Sequence, residues 1–108
     1  MNINDRTINA AQYFRFPATQ QEGETLQYAI NYASILQTSE ISTSTWEAST
    51  ASVANPSNTT TSATAKITAS PGRHEITNTI TTTIGETHKR VIALAVKRNC
   101  DYVEGDYA

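Results

Sequence analysis

The chain is poor in residues that carry special chemistry. It has one cysteine, four glycines, three prolines, two histidines and a single tryptophan in 108 residues. A lone Cys100 allows no internal disulfide framework and no multi-cysteine metal site, so the fold must hold by packing or by partners. Cys100 itself reads as an unpaired thiol, in keeping with synthesis in a reducing cytosol. With so few glycines there is no phosphate-cradling loop and no Gly-x-Ser-x-Gly elbow. No apolar run approaches the roughly 18 residues of a membrane-spanning helix. The opening Met1-Asn-Ile-Asn-Asp-Arg6 has no apolar stretch behind it, so no secretory signal is expected. Charged residues make up 17%, with a net charge of −2. Such a surface does not attract nucleic acid as a whole, although Lys89, Arg90, Lys97 and Arg98 bracket one apolar segment.

What the chain has instead is hydroxyl. Thr and Ser supply 27 of the 108 residues, and threonine suits a half-exposed pleated surface better than a helix. Apolar residues recur at period two. Leu26, Tyr28, Ile30 and Tyr32 share one face, Ile41 and Trp46 belong to a second alternating run, and Thr59 to Thr68 forms a third. His74 to Ile84 is the clearest, with Ile76, Asn78, Ile80 and Thr82 on one parity. Ser70-Pro-Gly-Arg73 and Gly85-Glu86 are turn signals. The segment Val91-Ile-Ala-Leu-Ala-Val96 is apolar on both parities and predicts cover on both faces, by the fold or by another subunit. Ala48 to Asn58 reads as a loop with a short edge strand near Val53, because Pro56 fits only an edge. These short strands with turns every ten residues or so predict an all-β sandwich. Its expected core is Leu26, Tyr28, Ile30, Tyr32, Ile41, Trp46, Ile67, Ile76, Ile80, Ile92, Leu94 and Val96.

The expected organisation is an N-terminal arm over 1–24, the sandwich over 25–98 and a short acidic tail over 99–108. The arm has no sustained period, with at most a short helix near Ile8 to Tyr13. It carries an aromatic knot, Tyr13-Phe14-Arg15-Phe16, closed by Pro17. Segments that stay unfolded are poor in aromatics, so the knot either caps one open end of the sandwich or anchors on a partner. Tyr102 and Tyr107 in the tail admit the same two readings. Tyr13, Phe14, Phe16, Tyr102 and Tyr107 are therefore the candidate partner-binding residues. Removing residues 1–20 is expected to leave the sandwich folded but abolish assembly; a truncated chain that unfolds would instead place the aromatics in its own core.

Catalytic and metal chemistry find little support. If the last hairpin reverses at Gly85-Glu86, His74 and His88 sit about 30 Å apart, as two surface histidines that no single metal bridges. The ten acids lie mostly at ends and turns, where solvation accounts for them; Asp101, Glu104 and Asp106 lack the ligand spacing of a calcium loop. Asn58-Thr59-Thr60 matches a glycosylation pattern that a Thr-rich chain produces by chance. No enzyme activity, metal or cofactor is expected. Trp46 and Tyr28 read as core aromatics, with an exposed shelf for sugars or bases as the alternative.

With these elements placed, a resemblance can be stated. Glu24-Thr-Leu-Gln-Tyr-Ala-Ile-Asn-Tyr32 resembles the opening strand of small tailed-bacteriophage virion proteins, the fibre–tail adaptors with an immunoglobulin-like fold. The similarity continues through Ser42-Thr-Ser-Thr-Trp46, Asn58-Thr-Thr-Thr61, Ile76-Thr-Asn-Thr-Ile-Thr-Thr-Thr83 and Thr87-His-Lys-Arg-Val-Ile-Ala-Leu-Ala-Val96, about residues 22–98 in all. The turn Ser70-Pro-Gly72 departs from the Gly-rich turn of that pattern, and the arm and tail lie outside it. The resemblance implies an immunoglobulin-like antiparallel sandwich in a non-enzymatic virion component. It would be made in the host cytoplasm, be present in many symmetry-related copies, and link tail to fibres through protein contacts. Its partners would be tail ring, fibre or capsid subunits, not nucleic acid or membrane. Outward faces of Thr, Ser and Ala suit such packing, since few charges lose their water, and an open sheet edge can accept a neighbour's strand. A capsid decoration or cement protein is the alternative, and a carbohydrate-binding module a more distant one.

Overall fold

The computed structural model describes residues 6–98. Eight strands and one short helix follow the chain: β1 (Thr7–Asn9), β2 (Arg15–Gln21), β3 (Leu26–Asn31), α1 (Ala33–Leu36), β4 (Ile41–Ala48), β5 (Ala51–Asn58), β6 (Ser62–Ala69), β7 (Gly72–Thr82) and β8 (Thr87–Lys97). They form two four-stranded sheets, β1-β3-β6-β5 and β2-β8-β7-β4, packed as an all-β sandwich.

The sheets are mixed, not purely antiparallel. β1 pairs with β3, and β2 with β8, in parallel, while the remaining pairs are antiparallel. Alternation reveals which residues face inward but not the direction of a neighbouring strand. Only a hairpin fixes direction locally, and neither β1 nor β2 is hairpinned to its partner.

Residues 7–9 and 15–21 fall within the stretch expected as an arm, yet both are built into the sheets. β1 buries Ile8, and β2 turns Phe16, Ala18 and Gln20 inward. The alternation in β2 is real, but Pro17, Thr19 and Gln20 hide it among polar letters. The short helix considered near Ile8 to Tyr13 is absent. β1 ends at Asn9, whose side-chain oxygen accepts the Ala11 amide at 2.9 Å and whose carbonyl accepts Gln12 and Tyr13 amides at 3.0 and 3.1 Å. This Asx turn redirects the chain from one sheet to the other.

Ala48 to Asn58 is likewise mostly strand. β5 pairs along β6 with a register shift between Ala54 and Ser57. At that point Asn55 adopts φ 50°, a conformation asparagine tolerates, and Pro56 follows on the outer edge, where a missing N–H costs no ladder bond. Thr59 to Thr61, expected in the third strand, is instead a turn in which the Thr59 hydroxyl accepts the Thr61 and Ser62 amides. Helix α1, invisible to periodicity in four residues, buries Leu36.

Of the expected core, Tyr28, Ile30, Tyr32, Ile41, Ile67, Ile76, Ile80, Ile92, Leu94 and Val96 are buried, whereas Leu26 and Trp46 are half-buried against it. Two amides cross the core. The Tyr32 hydroxyl donates to Asn78 Oδ1 at 2.8 Å, and Asn78 Nδ2 donates to Ser44 Oγ and the Thr45 carbonyl. The Tyr28 hydroxyl donates to Gln20 Oε1 at 2.9 Å, and Gln20 Nε2 donates to the Glu24 and Ile67 carbonyls. The Tyr28–Gln20 bond joins β3 to β2 and the Gln20–Ile67 bond joins β2 to β6 across the sandwich, Tyr32 just after β3 reaches β7, and the bonds from Asn78 to β4 stay within the second sheet. Buried polar groups survive in an apolar core only when satisfied in this way.

Both histidines depart from expectation. The β7–β8 loop spans 83–86, with Thr82 bonded to Glu86 and Gly85 at φ 88°, so the register shifts and His88 faces Ile80 while His74 faces Leu94. Six residues of strand separate them, about 20 Å. His74 is buried rather than superficial. Its Nδ1 contacts the Thr50 hydroxyl at 2.5 Å and its Nε2 the Ser70 carbonyl at 2.7 Å, so it pins the turns before β5 and β7.

Candidate functional site

The described residues expose three large apolar side chains, Tyr13 at 41%, Phe14 at 62% and Ile84 at 67%. All three lie at one end of the second sheet. The β2–β8 ladder starts at Arg15 opposite Val91, and the Val91 amide donates to the Phe14 carbonyl at 2.8 Å, which sets Phe14 beside Arg90. Ile84 stands in the β7–β8 loop, beyond the Thr81–Thr87 pair. Thr87 to Arg90 is three residues of strand, about 10 Å.

Arg90 organises this end. Its Nε donates to the Ala10 carbonyl at 2.9 Å and its Nη1 to the Lys89 carbonyl at 2.7 Å. The guanidinium carbon lies 5.8 Å from the Phe14 ring centre and 6.0 Å from that of Tyr32. One cation thus bridges an exposed ring and a buried one, at a separation where the attraction is worth ~0.5–1 kcal/mol per exposed ring. Burial pushes the Tyr32 phenol well above its ordinary pKa, partly offset by the positive charge of Arg90. Tyr28 is raised for the same leading reason, with Arg6 opposing and Glu24 adding to the shift.

The knot divides between its two readings. Phe16 packs against the core, and Tyr13 meets it edge to face with ring centres 5.0 Å apart. Phe14 is 62% exposed and meets Arg90. Tyr102 and Tyr107 lie outside the described residues. Ile84 was not singled out from sequence, since it continues the alternation of Ile76 and Ile80 until the loop is placed; Arg90 was noted only as one of the basic residues that bracket the apolar segment of β8.

The surfaces around this end are plain. The outward side of β8, Val91, Ala93 and Ala95, is half-buried, and among the described residues no layer lies above it. Arg15 and Glu75 form an ion pair across Ala93, and a shallow groove there is lined by Arg15, Arg73, His74 and Glu75. Three of the four edges are blunted: β1 by its length, β2 by Pro17, and β5 by its bulge and Pro56. From Thr43 to Ala48 β4 keeps regular register with β7 and carries neither proline nor a basic residue, and among the described strands none pairs with its outer edge, which is the kind of edge that accepts another strand. Among the described residues no three His, Cys, Asp or Glu side chains gather as a metal site, and no helix is long and apolar enough to cross a membrane. Tyr28 is buried and Trp46 faces the core from β4, so Tyr28 is no sugar shelf.

Residues 20–95 match the family described as "Podophage GP4 fiber-tail adaptor protein gp77". That span holds the end of β2 and all of β3 to β7, together with most of β8; Tyr13, Phe14 and Phe16 precede it. No curated protein matches the chain.

Proposed function

The chain belongs to the podophage GP4 fibre–tail adaptor family, a structural component of the phage virion, and on that premise we propose that it joins the tail to its fibres through direct protein–protein contacts. The observation that carries this reading is the concentration of Tyr13, Phe14 and Ile84 at one end of the second sheet. A small domain gains nothing by leaving large apolar side chains exposed at one end, whereas aromatics and arginine are the residues that anchor interface cores. The open β4 edge offers a second contact by strand addition. The Thr, Ser and Ala faces dock without stripping water from many charges.

We also read the sandwich as immunoglobulin-like. Apart from β1 and β2, the two sheets run β3-β6-β5 and β8-β7-β4, which corresponds to the B-E-D and G-F-C order of such domains. The chain works in this reading as a rigid spacer in several symmetry-related copies, without catalytic chemistry and without contacts to nucleic acid or membrane.

The test is localisation in intact particles by electron cryo-microscopy. Density for the sandwich between the tail and the fibres, in a copy number matching tail symmetry, is expected. Hundreds of copies on the head would replace this reading with a decoration role. As a binding counterpart, the full chain is expected to co-migrate with isolated tail rings, and Phe14→Ser with Ile84→Ser to abolish that co-migration without loss of strand signal in circular dichroism.

A further inference from the structure

We propose that the β4 edge pairs with the β4 edge of a second copy of this chain, antiparallel about a two-fold axis through Thr45, so that the second sheets of two copies join into one. The inference rests on the reading of that edge as a contact by strand addition, and it names the occupant and the register.

The four edges of the sandwich differ. β1 has three residues, β2 holds Pro17, and β5 shifts register between Ala54 and Ser57 around Pro56. Proteins blunt in these ways the edges that stay in solvent. From Thr43 to Ala48 β4 matches β7 residue for residue, and the single charge in β4 is Glu47. A second copy that adds a strand here must offer its own β4, because its other three edges carry the same obstacles. Like edges make an isologous contact, which closes at two copies.

Side-chain parity then limits the register. A two-fold axis normal to the sheet keeps outward residues outward, so in an antiparallel pair it must pass through a residue. With the axis at Thr45, exposed Thr45 meets its own symmetry mate, exposed Thr43 meets Glu47, and half-buried Ser44 meets Trp46. Thr with Thr is a favourable cross-strand pair, the Thr43 hydroxyl can donate to the Glu47 carboxylate, and a small residue opposite a large one packs without collision. The two Glu47 carboxylates stand four residues apart along the strand, about 14 Å, beyond the screening length of physiological salt. Thr77, Thr79 and Thr81 of β7 lie beside Glu47, Thr45 and Thr43, so polar rows continue across the joint. An axis through Ser44 would set Ile41 against Glu47 across the register shift that follows Ile41. An axis through Trp46 would confront two indoles and carry Thr43 past Ser49, where the chain has left β4 for β5. β4 is thus complementary to itself at one register, a property that an edge made for a different protein does not need. Tyr13 and Phe14 stay outside the joint, because β8 and β7 separate β2 from β4.

The test exploits the fact that only at a two-fold axis does a residue face itself. Sedimentation velocity of the full chain is expected to show a monomer–dimer equilibrium. Thr45 is exposed, so charge there is compatible with the fold. Thr45→Lys alone and Thr45→Glu alone each set like charges opposite one another, and each is expected to dimerise at least tenfold more weakly than the parent with unchanged circular dichroism. An equimolar mixture of the two is expected to recover a mixed dimer, because opposite charges now meet. Thr45→Cys on a Cys100→Ser background is expected to give a disulfide-linked dimer on mild oxidation, since directly opposed Cα atoms in either kind of antiparallel pair lie within disulfide reach. A monomeric parent, charge variants that associate like the parent, a mixture that recovers nothing, or a Thr45→Cys chain that stays unlinked would each overturn the proposal. A sandwich found between tail and fibres whose parent is monomeric removes the self-pairing and leaves the adaptor reading. A chain that passes these tests but sits on the head does the reverse.

Discussion

At the Gln21–Lys97 end of the β2–β8 ladder the core closes on itself. Gln20 is buried and meets Tyr28, Glu24 and Ile67; the Glu24 carboxylate accepts the Gln21 amide at 2.8 Å, and Glu22 bonds back to the Lys97 carbonyl. At the Arg15–Val91 end, Phe14 and Ile84 stand in solvent and one arginine spans the gap between outer and inner rings. The same sheet is therefore self-sufficient at one extremity and incomplete at the other. Where polar atoms are paired internally, a substitution is felt as lost stability. Where apolar surface is left bare, it is felt as lost association.

That contrast can be broken by measurement. Asn78→Ala strands the Tyr32 hydroxyl and removes two donated bonds in the centre of the core; we expect a loss of about 3 kcal/mol in urea unfolding. Gln20→Ala does the same for Tyr28 at the closed end, and about 2 kcal/mol is expected. Alkaline titration probes the same pair of phenols. Their folded pKa values lie above the unfolded value, so the stability they contribute is intact below about pH 10 and lost as pH rises beyond it. Of the five tyrosines, Tyr28 and Tyr32 should ionise only as the fold opens, seen as a late cooperative step in phenolate absorbance. At the open end, Ile84→Ser should change stability by no more than about 0.5 kcal/mol. A loss at Ile84 as large as that at Gln20 would erase the distinction between the two ends.

The sandwich was legible because strands buried on one face betray themselves. Ile76, Asn78 and Ile80 alternate so regularly with threonines that β7 could be read directly, and even the asparagine on the buried parity proved to be core. β2 was not legible, since its inward residues are Phe16, Ala18 and Gln20, only one of them strongly apolar, and its strand partner lies some 75 positions away. No local pattern encodes a parallel pairing at that distance. The aromatic knot was visible as an oddity of composition, but its division of labour was not. Phe16 and Phe14 differ by two residues and thus share a side of the strand; Phe16 finds core and Phe14 finds only Arg90, because the sandwich ends between them. The location of that end depends on the β7–β8 loop, whose longer span also moved His88 from Thr83 to Ile80.

The parallel alignment of β2 with β8 also has a mechanical meaning. The chain enters β2 at one extremity of the molecule and leaves β8 at the other. A force drawing those two points apart slides the strands past each other, so the seven paired positions from Arg15 to Gln21 share the load at once instead of parting one after another. A tether built in this way yields late and all together.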